Sequence, residues 1–179
     1  MPEEIEVPTE HLHEKMQEES EEHGGSKWIS RVAVSSAMLA VAAAICALLA
    51  SHHSDEAILE EMRATDQWSY FQAKGIKSAI QESIIEEATS NGRAVPPERK
   101  DRVARYEADM KGAEEKAKEL EESSESHMHH HVWLARGVTA FQIAIAMGAI
   151  SVLARRPKLW LLSLGLGFLG GAFFVAGLV

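Results

Sequence analysis

Hydrophobic residues along the chain are gathered into three long runs that contain no charged side chain. The runs span Val32 to Ala50, Gly137 to Ala154 and Leu159 to Val179, which is 19, 18 and 21 residues. A helix needs about 20 apolar residues to cross the hydrocarbon core of a bilayer, so the pattern predicts three transmembrane helices. The predicted spans, with their flanks, are residues 27–51, 132–154 and 159–179.

The polar segment between the first two runs, residues 52–131, is rich in residues that favour helices. A turn signal at 91–97, where Asn91-Gly92 precedes Pro96-Pro97, divides this segment into two arms. No helix breaker separates either arm from the adjoining apolar run. The sequence therefore predicts an all-α membrane protein in which an extra-membrane antiparallel helical hairpin is continuous with spans one and two.

Apolar and small residues recur at alternating spacings of three and four along the second arm, from Val103 onwards. This spacing is that of a coiled-coil seam, so the hairpin is expected to be a coiled-coil stalk. With the turn centred near Ala94, Gly75 is expected to face Ala113. The predicted seam residues are Trp68, Phe71, Tyr106, Met110 and Leu120.

The first arm carries a second apolar stripe that the seam leaves uncovered, and it consists of Ile58, Met62, Ile76, Ile80 and Ile84. A helix that is apolar on two sides needs a second neighbour, and the chain offers no further stalk helix. We therefore expect this stripe to be the interface of a homo-oligomer. Small residues four apart in the spans allow close helix contacts in lipid, either within one chain or between chains.

Charged residues set the expected orientation. Residues 1–26 form an acidic tail in which we predict a short helix from Thr9 to His23. Lys27 and Arg31 flank the start of span one, and residues 155–158 form a basic turn between spans two and three. Positive residues favour the cytoplasmic side of a membrane. The amino terminus and the turn are thus expected in the cytoplasm, with the hairpin and the carboxyl terminus outside.

Composition excludes several classes of function. The formal net charge of −9 argues against a nucleic-acid-binding surface. Cys46 is the only cysteine in the sequence, so neither a disulfide framework nor a cysteine-based zinc site is expected. The match Gly165-x-Gly167-x-x-Gly170 to a dinucleotide fingerprint lies inside a predicted span with no strand before it. No nucleophile–base set or paired acid site is evident, so we do not expect an enzyme.

Histidines border the hairpin, at His52-His53 on one side and from His127 to His131 on the other. Imidazoles at i,i+4 are good ligands for zinc, copper or nickel, so His127 and His131 with Glu61 form a candidate metal site; no other cofactor is expected. The alternative is a set of His–Glu hydrogen bonds at the interface. Protonation of His127 and His131 would also place charge on a packed seam and loosen the base of the stalk.

Two polar residues lie within span two, Thr139 and Gln142. Polar groups at this depth join neighbouring helices or line a path through the membrane. No charged residue accompanies Gln142, which favours the helix-joining interpretation.

Three segments carry a resemblance to a known family: Glu6-Val7-Pro8-Thr9-Glu10-His11-Leu12, Asp66-Gln67-Trp68-Ser69-Tyr70-Phe71-Gln72-Ala73-Lys74 and Phe141-Gln142-Ile143-Ala144-Ile145. The chain resembles the bacterial membrane proteins catalogued as domain of unknown function 4337, over essentially its whole length. The resemblance implies a bacterial membrane protein with this three-span layout, and hence the bacterial inner membrane. It implies no activity and no functional residues.

Taken together, these patterns predict a homo-oligomeric inner-membrane scaffold protein with a projecting helical stalk. The expected partners are membrane lipid and further copies of the chain. The alternative is a proton- or metal-responsive channel or transporter subunit, whose sensor would be the layer of histidines and carboxylates where stalk meets membrane.

Overall fold

The computed structural model describes residues 27–179, and the predicted tail helix from Thr9 to His23 lies outside the described residues. The described chain is all-α, with α1 at Lys27–Ser90, α2 at Pro97–Leu153 and α3 at Pro157–Ala176. Each helix is long and apolar enough to be a candidate membrane span. Helices α1 and α2 pack antiparallel, as the sequence predicts.

The turn after α1 is a Schellman motif built on glycine. Gly92 has a φ of 66°, a left-handed conformation that costs glycine little because it lacks a Cβ. The N–H of Gly92 donates to the carbonyl of Thr89 at 3.0 Å, and the N–H of Arg93 donates to that of Ala88 at 2.8 Å. Helix α2 then begins at Pro97, where a missing N–H has no consequence.

The turn after α2 repeats this pattern with an arginine in the left-handed position. Arg155 has a φ of 54°, and the N–H of Arg156 donates to the carbonyl of Ser151 at 3.0 Å. Arg156 has extended backbone angles and Pro157 opens α3. The third helix therefore starts two residues before the predicted span at 159–179, because the proline can occupy its first turn.

The described chain divides into two compact units. Residues 27–54 and 128–179 form one, which we call the three-helix unit because it contains parts of all three helices. Residues 55–127 form the other, the hairpin unit, which contains the remainder of α1 and α2.

Small residues allow the helices of the three-helix unit to approach closely. A Cβ on Gly170 would lie 2.8 Å from the ring of Phe141, and one on Gly167 would lie 2.7 Å from Leu39. The buried cluster at the centre of the unit consists of Ala43, Cys46, Ala50, Leu134, Val138 and Phe141. Small residues at these positions thus pack helices of one chain together.

Buried hydroxyl and thiol groups in this unit donate to backbone carbonyls. Ser163 Oγ of α3 donates to the carbonyl of Ala144 in α2 at 2.6 Å, and Cys46 Sγ of α1 donates to that of Leu134 at 3.1 Å. Each bond joins two helices and satisfies a polar group that lipid could not.

In the hairpin unit, the residues of the predicted seam on α2 are all buried or half-buried, with Ala113 and Ala117 buried. Gly75 contacts Met110, whose Cε lies 3.4 Å from the Cβ position of the glycine. The sequence placed Ala113 opposite Gly75, three residues or about one helical turn further along α2.

Candidate functional site

Four imidazoles gather at one end of the three-helix unit, and we call them the histidine cluster: His52, His53, His129 and His130. Antiparallel packing brings His53 of α1 onto His130 of α2, with ring centroids 5.1 Å apart and an interplanar angle of 24°. The His52–His53 and His129–His130 centroids are 5.7 Å and 6.2 Å apart. The four rings therefore form a continuous chain across two helices.

Histidines at this end also hold the backbones of neighbouring helices. His130 Nδ1 lies 3.0 Å from the carbonyl oxygen of Gly177, at the end of α3. His131 Nδ1 lies 2.8 Å from that of Ala50 in α1. A carbonyl only accepts hydrogen bonds, so each Nδ1 must carry a proton. These bonds persist when the imidazole becomes doubly protonated, because Nδ1 remains a donor.

His129 has the opposite sensitivity to protonation. The indole Nε1–H of Trp133 donates to His129 Nε2 at 3.1 Å, so this nitrogen must carry a lone pair. Protonating His129 would remove the acceptor and break the bond. The His129–Trp133 hydrogen bond therefore requires the neutral imidazole of His129.

The structure gives no support to the predicted metal site at His127, His131 and Glu61. No group of three or more His, Cys, Asp or Glu side chains in residues 27–179 is arranged to hold a metal ion. Glu61 is exposed, and the carboxylate beside His127 is that of Glu60, with Nε2 and Oε2 4.0 Å apart. At 4.0 Å the two atoms are not hydrogen-bonded, so the predicted set of His–Glu hydrogen bonds stays a prediction.

The predicted seam residues Trp68, Phe71, Tyr106, Met110 and Leu120 are all half-buried in the hairpin unit. Trp68 packs its ring edge-on to Phe71 with centroids 5.6 Å apart, and its Nε1–H donates to Glu121 at 2.6 Å. An indole at a half-buried position is thereby provided with the polar partner that it needs.

A lysine links the two arms near the middle of the hairpin, and the sequence reasoning missed it. Lys74 Nζ lies 2.7 Å from Asp109 Oδ2 and sits over the rings of Tyr70 and Tyr106, at 4.8 Å and 5.4 Å from their centroids. The hydrogen bond to Asp109 raises the pKa of Lys74 above its ordinary value. Charged residues are common on both arms, so the sequence carried no signal that singled out this pair.

The predicted oligomer stripe lies largely in the open. Ile58, Met62, Ile76 and Ile80 are 53%, 60%, 63% and 53% exposed, and Ile84 is half-buried. We call these five residues the apolar stripe. They lie on α1 beside the residues that contact α2, and within the hairpin unit nothing packs over the four exposed members.

The two polar residues of span two are less informative. Thr139 Oγ1 donates to the carbonyl of Ala135 in its own helix at 3.0 Å, and Gln142 is half-buried. The threonine hydroxyl is therefore satisfied locally and joins no other helix.

A family model described as Domain of unknown function (DUF4337) matches residues 28–179. The chain belongs to the DUF4337 family. The DUF4337 match includes both units and all but the first residue of the three helices, so the resemblance seen in the sequence is confirmed over this range; the segment Glu6 to Leu12 lies before it. No curated protein and no solved structure matches this DUF4337 chain.

Proposed function

We propose that the protein is a homo-oligomeric scaffold of the bacterial inner membrane, anchored by three spans, with the hairpin unit outside the bilayer. The observation that carries the proposal is the exposed apolar stripe on the hairpin unit. An apolar surface of this kind is unfavourable in water unless another apolar surface covers it.

The surface of the three-helix unit supports its placement in lipid. Large apolar side chains point outward, with Phe168 83%, Leu48 71% and Met38 70% exposed, while small residues fill the helix contacts. Residues 27–54 and 128–179 contain no Asp or Glu. This arrangement is typical of helices that pack through small residues and face lipid with large ones.

The distribution of cations supports the proposed orientation. Lys27, Arg31, Arg155, Arg156 and Lys158 lie where α1 begins and where α2 meets α3, and Arg136 is the single Lys or Arg toward the other end of the three-helix unit. The positive-inside rule then puts the amino terminus and the turn in the cytoplasm. The hairpin unit and the carboxyl terminus lie on the periplasmic side.

A second copy of the chain is the occupant that best fits the stripe. Ile58, Ser69 and Ile80 are spaced by 11 residues, as are Met62, Ala73 and Ile84. An 11-residue repeat gives about 3.67 residues per turn, whereas the seam that faces α2 follows the seven-residue repeat. Only a helix with the same long repeat stays in contact along the whole stripe, and an identical α1 has it.

Membrane topology determines how two stripes meet. Copies inserted in the same direction are related by rotation about the membrane normal, so their α1 helices run parallel and equivalent stripe residues lie at the same height. Between Met62 and Ile76, three further exposed residues continue the apolar stripe along α1, and all three are small: Thr65, Ser69 and Ala73. We place the closest approach of the two helices there.

The direct test of the proposed function is the mass of the full-length protein in a mild detergent, measured by native mass spectrometry. A discrete oligomer is the expected result. A protein that stays monomeric over the accessible concentration range would show that the stripe does not mediate self-association.

A second candidate function is favoured by the histidine cluster: a proton-responsive channel or transporter subunit. Four rings within 5.1 to 6.2 Å of their neighbours would repel one another when charged, by about 3 kcal/mol per adjacent pair at an effective dielectric constant near 20. Proton-driven flux through reconstituted vesicles would support this function, and flux that is independent of pH would refute it.

A further inference from the structure

One end of the three-helix unit carries five cations, and we call it the basic end: Lys27, Arg31, Arg155, Arg156 and Lys158. All five residues are exposed. Two come from the first turns of α1, and three come from the connection between α2 and α3. These residues are far apart in the sequence, and the fold brings them to one end of the unit.

Packing at this end shows that the two groups of cations lie on the same side of the unit. Val32 of α1 packs with Ala149 and Val152 of α2, and Trp28 and Trp160 pack against this cluster. Trp160 Nε1–H also donates to Ser35 Oγ of α1 at 3.2 Å. The start of α1, the end of α2 and the start of α3 thus converge.

Nothing acidic in the described part of the unit balances this charge. Residues 27–54 and 128–179 contain six Lys and Arg and no Asp or Glu. No ion pair involving the five cations is found among residues 27–179. Any anion that neutralises the basic end must therefore come from outside the three described helices.

The surface next to the basic end is apolar. Leu161 and Leu162 of α3 are 63% and 54% exposed, and Val34 of α1 is 59% exposed. The half-buried ring of Trp28 follows Lys27 on α1, and that of Trp160 lies between Lys158 and Leu161 on α3. Amphipathic indoles at such positions are typical of a membrane interface. A ligand that fits both parts has an anionic head and an apolar chain.

We propose that the basic end binds the phosphate-bearing headgroups of anionic phospholipids, with their acyl chains on the adjoining faces of α1 and α3. Guanidinium groups bind phosphate through paired, charge-assisted hydrogen bonds, and Arg155 and Arg156 provide two of them in one tight turn. The inference uses the membrane placement of the three-helix unit and is independent of the oligomer.

The acidic tail is the competing occupant, since residues 1–26 contain nine Glu and end beside Lys27. It matches the charge of the basic end. A lipid matches the charge and also covers the apolar faces of α1 and α3, which extend well beyond the cations. The amphipathic match favours the lipid.

The test is native mass spectrometry of the detergent-purified full-length protein, incubated with equal amounts of phosphatidylglycerol and phosphatidylcholine of identical acyl chains. The wild type is expected to retain phosphatidylglycerol with a preference of about tenfold or more, since each cation near the surface contributes separately. The variant carrying Arg155→Gln, Arg156→Gln and Lys158→Gln should lose most of that preference. Arg136→Gln, at the other end of the unit, is the matched control and should keep it.

Other variants keep the test decisive. If the triple variant does not fold, Lys27→Gln with Arg31→Gln replaces it, since both side chains are exposed on a helix. Equal retention of the two lipids by the wild type, or an unchanged preference in the variants, would overturn the proposal. A preference that emerges only after residues 1–23 are deleted would also overturn it, because the tail would then be the occupant. The same spectra report the oligomer mass, so failure of the scaffold proposal is recognised separately.

Discussion

Lys74 of α1 and Asp109 of α2 are joined by a 2.7 Å hydrogen-bonded ion pair across the hairpin unit. The lysine Nζ also lies over Tyr70 and Tyr106, one ring from each arm. Lys74 and Asp109 are 35 positions apart in the sequence, and their contact fixes the register in which the two arms meet.

The first prediction concerns the pH dependence of this pair. The pKa of Lys74 is raised above the ordinary value of 10.5 by its hydrogen bond to Asp109, so the folded state holds the proton more tightly than the unfolded state. The stabilisation is therefore complete below about pH 10 and is lost as the pH rises further. Thermal unfolding followed by circular dichroism should show a lower midpoint for Asp109→Asn than for the wild type at pH 8, with the gap narrowing toward pH 11. A constant gap would contradict the assignment.

The second prediction concerns the apolar stripe. Replacing Ile80 with Glu should leave the helix content of the chain unchanged, because Ile80 is 53% exposed in a single copy. In an oligomer the same change buries unpaired like charges, and the dissociation constant should rise on the order of a hundredfold. Analytical ultracentrifugation measures the monomer and oligomer populations, and these give the dissociation constant. Lys111→Glu, on an exposed position of α2, is the control and should assemble like the wild type.

The third prediction concerns the glycines of α3. Gly170→Ala would bring a Cβ to 2.8 Å from the buried ring of Phe141, and such overpacking should lower the free energy of unfolding by about 1–3 kcal/mol. Gly171→Ala is the matched control in the next position, since its Cβ would meet nothing within 4 Å. The control should be neutral or more stable by up to about 1 kcal/mol. Equal effects of the two variants in detergent unfolding would show that α3 packs differently.

The fourth prediction concerns the His129–Trp133 hydrogen bond. Replacing His129 with Phe removes the acceptor at Nε2, so the emission of Trp133 should change. The measurement uses a variant in which Trp28, Trp68 and Trp160 are replaced with Phe, so that Trp133 is the only emitting indole. Identical emission with and without His129 would rule out this hydrogen bond.

The sequence also predicts that acidification loosens the base of the stalk. Oligomer size and helix content that stay unchanged from pH 8 to pH 5 would refute this prediction. The bonds of His130 to Gly177 and of His131 to Ala50 use Nδ1 as a donor, so both the neutral and the charged ring can form them.

Much of the architecture can be read from the sequence, because few interactions decide it. Charge-free runs of 18 to 21 residues indicate membrane helices, and Asn91-Gly92 followed by Pro97 marks the turn because only particular residues suit its backbone angles. The seven-residue repeat along α2 likewise follows from helix geometry.

Other features depend on contacts that periodicity does not encode. Gly75 contacts the end of the Met110 side chain, and the carboxylate beside His127 is that of Glu60 rather than Glu61. The length and direction of the side chains decide which residues touch across the seam. The bond between His130 and Gly177 requires the end of α3 to lie beside α2, and the sequence of α3 does not state which face of the other helices it covers.

The central claim is that a second copy covers the apolar stripe in parallel register, and disulfide cross-linking in native membranes tests it most directly. Single cysteines are introduced at Thr65, Ser69 and Ala73 after Cys46→Ala removes the native thiol. Disulfides require Cβ atoms about 3.5–4.5 Å apart, so mild oxidation should give dimers that are most abundant at Ser69 and Ala73. A cysteine at Lys111, whose side chain is 80% exposed, should give none. Absence of dimers at all three stripe positions, or equal yields at Lys111, would contradict the account.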